Sequence, residues 1–128
     1  MKEECFVINN LPKGTLESVP FVLMKDEVLG QDYTLTVNFI SSEVSQKLNR
    51  ECRNKDFPTD ILSFPLSKEE GEIYIDLAES KKEAEKFNRK FENFVAFLFI
   101  HGLVHLKGYD HGSTMESIEQ DFRKKFGV

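Results

Sequence analysis

The chain has 128 residues, about 40% of them apolar and 30% charged, with a formal net charge of −5 and a pI near 5.2. This is the mixture of a globular protein with one domain over residues 1–128, and its acidity argues against non-specific coating of nucleic acid, which needs Lys and Arg to neutralise phosphates. No run approaches the roughly 18 to 20 apolar residues of a membrane span and the first residues lack a leader's basic-then-apolar pattern, so Cys5 and Cys52, far apart in no motif, read as reduced thiols of a cytoplasmic protein with no membrane partner.

In chain order, residues 5–9 form a short strand ended by Asn9, Asn10 and Pro12. Residues 15–29 have helical spacing at Leu16, Val19, Leu23 and Val28, with Thr15 as cap, Gly30 as stop and Pro20 as a feature that delays the start. Residues 33–40 (YTLTVNFI) alternate and are rich in β-branched and aromatic side chains, which predicts a strand. Ser41 or Ser42 then caps a helix to about residue 51, with Val44 and Leu48 facing inward. Pro58 makes 54–59 a loop. Residues 60–64 and 72–77 are strands that pair as a hairpin across a long polar loop.

The second half is helical. Residues 78–87 form a charged amphipathic helix, and residues 88–90 separate it from 91–106, whose near absence of polar positions marks a buried helix. Gly108 ends that helix. Ser113 with Glu116 reads as a capping box opening a last helix with Ile118, Phe122 and Phe126 inward. The expected fold is α+β: a small mixed four-stranded sheet packed against about five helices. Three basic clusters stand out: Lys47, Arg50, Arg53 and Lys55; Lys81, Lys82, Lys86, Arg89 and Lys90; and Arg123, Lys124 and Lys125. The last two, with acidic neighbours, read as solvated helix faces.

All three histidines fall in one segment, HGLVHLKGYDH. His101 and His105, four apart on a helix, project from one face about 6 Å apart. Both imidazoles can therefore reach one ion at a Zn–N distance of about 2.0 to 2.1 Å. A third ligand requires the chain to turn; Gly108 permits the turn, and His111 follows. The predicted site is one zinc ion held by His101, His105 and His111 at the end of the buried helix, with a fourth position left open as in catalytic zinc sites. The spacing is that of a zinc peptidase, but the position of the peptidase's glutamate base is Gly102. Asp110 is one substitute for that base, or equally a partner that orients a histidine.

With these residues on the page, the chain resembles the YbeY family of bacterial rRNA maturation factors. The similarity lies in the family's HGxLHLxGYDH signature, matched from His101 to His111 with Val104 where leucine is usual. It lies also in Leu48-Asn49, Arg53, Asp56, Pro58-Thr59-Asp60 and Leu62-Ser63-Phe64-Pro65, and in Gly71-Glu72-Ile73, where Glu72 replaces the usual aspartate. The resemblance implies a metal-dependent, single-strand-specific endoribonuclease acting in 16S rRNA maturation and ribosome quality control, with single-stranded pre-rRNA as substrate and small-subunit ribosomal proteins as partners. It implies that Arg53 joins the three histidines as a catalytic group and, with Ser63, binds substrate. An arginine's planar fork suits phosphate oxygens; without the motif, Arg53 reads as a surface ion pair with Asp56 or Glu51. Two other readings stand beside this one. The first is a non-catalytic ribosome-assembly factor with a structural zinc; the second is a zinc hydrolase of peptides or small esters, weakened by Gly102.

Overall fold

The computed structural model describes residues 6–109 and 112–128. Cys5, Asp110 and His111, all named from the sequence, lie outside the described residues. The elements run β1 (Phe6–Asn9), α1 (Phe21–Leu29), β2 (Thr34–Ile40), α2 (Ser42–Arg53), β3 (Ile61–Ser67), β4 (Glu70–Asp76), α3 (Leu77–Lys86), α4 (Phe91–Leu106) and α5 (Ser113–Phe126). The strands form one sheet in the order β1-β2-β4-β3. β1 and β4 run parallel to β2, and β3 runs antiparallel to β4. The sheet is therefore mixed, as the sequence predicts.

The centre of the molecule is α4. It contacts α1, α3, α5 and β3, which is why its sequence lacks a polar face. Val95, Phe99, Ile100, Leu103 and Val104 on α4 share one core with Leu35, Val37, Ile73 and Ile75 of the sheet. Each of these is fully buried, and burial of such a side chain is worth roughly 1.5–3 kcal/mol. The helix is thus a rigid post, and groups near its C-terminal end inherit its position.

Five expectations need correction. α1 begins at Phe21 rather than at residue 15, because Leu16 adopts a left-handed φ of 63° and Pro20 sits at ψ 71°, neither of them helical. Its Leu23 is 60% exposed, and Phe21, Met24, Lys25 and Val28 face inward instead. On α2, Val44 is 42% exposed and the buried positions are Ser45 and Asn49. That inward face is polar because Ser45 Oγ donates to the buried Asp76 carboxylate at 2.7 Å, while Ser41 supplies the N-cap by accepting from the Val44 N–H.

The hairpin is also tighter than expected. β3 continues through Pro65 to Ser67, leaving Lys68 and Glu69 as the turn, with a register shift between Pro65 and Ser67. Proline is tolerated there because β3 is an edge strand with no outer neighbour to receive its missing N–H. Finally, the capping box does not form. Gly112 occupies the N-cap of α5 without a side-chain cap, and Ser113 is already helical.

Candidate active site

His101 and His105 lie on the last two turns of α4, one turn apart. Between them Gly102 faces the sheet at close range. A Cβ at Gly102 would stand 3.0 Å from Ile61 Cδ1, 3.0 Å from Ser63 Oγ and 3.1 Å from Ile73 Cδ1. The glycine lets the post approach β3 and β4, and a glutamate there would have to displace them. The position of the peptidase's base is therefore a close contact with the sheet, and a larger residue there would push on Ile61, Ser63 and Ile73.

Arg53, the last residue of α2, arrives from the opposite wall. Asn54 turns the chain with φ 57°, ψ 37°. Asn49 Nδ2 donates to the Phe57 carbonyl at 2.8 Å, so the loop between α2 and β3 is tied back to the helix. Asp56 is occupied by Arg50 at 3.2 Å and by Gln46 at 3.1 Å. The Gln46 hydrogen bond first, and then Arg50, hold its carboxyl below the usual carboxylate range. Arg53 thus does not make the ion pair with Asp56 that its sequence position suggests, and no salt bridge is formed by it among the described residues.

A cleft of about 480 Å³ brings Arg53, Thr59, Asp60, Ser63, His101 and His105 together. Among the described residues, Asp60 is the acidic group on its wall. Burial is the main cause that raises its pKa, Glu83 adds to it, and backbone N–H groups with His101 oppose. On its other side His101 meets α5: its Nδ1 is 2.9 Å from Oε2 of Glu119, which is only 7% exposed. A carboxylate at Nδ1 fixes the ring's orientation and turns Nε2 away from it, the usual support for a histidine that binds a metal. The chemistry of this donor set, two imidazoles one turn apart with a buried carboxylate behind one of them, fits a divalent transition metal. The third expected ligand, His111, lies outside the described residues, and among the described residues no group of three potential ligands is assembled.

Spacing pointed to His101 and His105, and the structure places both with Arg53 and Ser63 on one cleft. Glu119 was missed. It sits 18 residues from His101, and its only signal was a carboxylate on the inward face of the last helix.

The family model of the endoribonuclease YbeY matches residues 8–126. The Endoribonuclease YbeY of Staphylococcus carnosus is 35% identical over 113 residues, covering 79% of this chain and 74% of that protein. The Endoribonuclease YbeY of Colwellia psychrerythraea is 38% identical over 110 residues, covering 77% and 71%. Among solved structures, the solution structure of TM1509 from Thermotoga maritima aligns with a TM-score of 0.67 and 28% identity, covering 94% of this chain and 88% of that one.

Proposed function

This chain belongs to the YbeY family of endoribonucleases, and we propose that the cleft between α4, β3 and the end of α2 is where it cleaves RNA in ribosomal RNA maturation. The observation that carries this reading is the convergence on one cleft of His101, His105, Arg53 and Ser63. An endoribonuclease must bind a phosphodiester, stabilise charge that builds on its oxygens and manage a proton. The guanidinium of Arg53, on the cleft wall with Asp56 committed to Arg50, clamps two phosphate oxygens and meets the developing charge. The Ser63 hydroxyl offers a hydrogen bond to the same backbone. The proton passes through a carboxyl, either Asp60 on the cleft wall or Asp110 beside His111.

The metal cofactor of this family would be held here by His101, His105 and His111, and we assign it as one zinc ion from the all-imidazole set. When bound it supplies Lewis-acid polarisation of the phosphodiester. Glu119 keeps the His101 ring in register with it. The substrate class is single-stranded pre-rRNA of the small subunit (16S), which membership of this family supports. An acidic chain holds RNA weakly by itself, which favours delivery by small-subunit ribosomal proteins in the cytoplasm. No helix among the described residues is long and apolar enough to cross a membrane.

The test is incubation of metal-analysed protein with single-stranded RNA, duplex RNA and casein, beside a His105→Ala control. The expected result is cleavage of the single strand alone, lost in the control. Undiminished RNA cleavage by His105→Ala, or cleavage of casein, contradicts the assignment.

A further inference from the structure

Two of the basic clusters that read as solvated faces contribute one arginine each to a single place. Most of their other members are accounted for: Lys82 pairs with Glu79, Lys86 with Glu83 and Lys125 with Glu27, and Lys81 lies over the Phe91 ring. Arg89 and Arg123 behave differently. Their guanidinium carbons lie 5.1 and 4.8 Å from the centroid of one ring, Phe97. Neither has a carboxylate within ion-pairing distance among the described residues. Arg89 donates to the neutral Asn93 side chain. The Arg123 Nε is buried with no hydrogen-bond partner among the described residues. Like charges gathered on one ring repel, and an anion beside the two guanidinium groups would relieve that repulsion.

The ring they share is next to the histidines. Phe97 is one turn before His101 on α4, and the two rings stack with centroids 6.5 Å apart. A cleft of about 390 Å³ opens between α4 and α5, lined by Phe97, His101, Gln120 and Arg123, with Glu116 and Glu119 on its wall. Glu119 is committed to His101. His101 is therefore the partition between two clefts, one carrying Arg53 and the other Arg123.

We infer that the α4–α5 cleft is a second phosphate subsite, in which Arg123 holds the RNA backbone beside the phosphodiester that lies at the histidines, and Arg89, which shares the Phe97 ring but does not line the cleft, adds to the positive field. This rests on the RNA-cleaving role of the chain. The strand then crosses the end of α4, from Arg53 past His101 to the Phe97 ring. Phosphate contacts of this kind position a strand without reading its sequence.

The test compares wild type with Arg89→Gln, Arg123→Gln, the double variant and Arg123→Lys. Cleavage of a single-stranded RNA oligonucleotide and of a dinucleoside monophosphate, which has no flanking phosphate, is measured across salt concentrations, with thermal melting of each protein. The expected result is a KM for the oligonucleotide raised roughly threefold to tenfold in the double variant, with kcat kept. The slope of log(kcat/KM) against log salt should flatten by about 0.7 for each phosphate that is no longer neutralised. Arg123→Lys should keep the slope, and dinucleotide cleavage should not change. An unchanged oligonucleotide KM and slope, or an equal loss on the dinucleotide, overturns the subsite and leaves the RNA-cleaving role standing. A slope that flattens in Arg123→Lys in step with a fall in its melting temperature also overturns it, marking Arg123 as a packing residue. Wild-type protein that cleaves neither RNA overturns both.

Discussion

Asp60 illustrates what a single residue contributes and how little of that is visible in a sequence. As text it is the third letter of a Pro-Thr-Asp run; in the structure it is a carboxyl pushed up from its ordinary value by burial and by Glu83. A folded pKa above the unfolded one means that the native state binds its proton more tightly. The associated stability is therefore complete below the unfolded pKa and is lost as pH rises through the folded value. In metal-free protein, Asp60→Asn should accordingly raise the melting temperature at neutral pH. The gain should shrink as pH falls toward about 4, the ordinary carboxylate range. A gain of equal size at both ends, followed by calorimetry, contradicts burial as its cause. The histidines needed no such context, because spacing alone puts His101 and His105 on one helical face. Arg53 was legible only through its motif. Its neighbour Arg50, equally charged and three residues earlier, is the one that takes Asp56, and nothing local in the sequence separates the two roles.

At the scale of elements, α4 was readable to its bounds because burial on every side leaves a continuous apolar run. α2 was readable as a helix but not as to its face. Its inward positions are set by hydrogen bonds, Ser45 to Asp76, 31 residues away, and Asn49 to the Phe57 carbonyl, and Asp76 also caps α3 by accepting from the Glu79 N–H. A hydrophobic pattern cannot announce a polar interface. The packing of α5 on α4 has a chemical consequence as well as a structural one, since it delivers Glu119 to His101. Glu119→Gln keeps the shape and removes the charge, and should weaken zinc binding about 10- to 100-fold while the helix content stays that of wild type. Competition with a chromophoric chelator measures this. Wild-type affinity in Glu119→Gln means that α5 only covers the histidine and does not tune it.

Taken whole, the molecule is a sheet with one rigid helix across it, and what that helix carries at its C-terminal end. The order of elements and the mixed sheet follow from the alternation of strand and helix patterns, whereas the pairing of β4 between β2 and β3 belongs to long-range packing that no local pattern encodes. The same packing turns Gly102 from a missing base into a contact with the sheet, and so separates this site from a peptidase of identical histidine spacing. We propose that the histidines hold a metal and Arg53 holds the phosphate, in one cleft. This is tested most directly by measuring bound metal and single-stranded RNA cleavage on the same preparations of wild-type and Arg53→Ala protein. The expected result is full metal content with cleavage reduced by two orders of magnitude or more, about 2.7 kcal/mol of transition-state stabilisation. Arg53→Ala protein that cleaves as wild type does, or that loses its metal along with its activity, contradicts this division of roles.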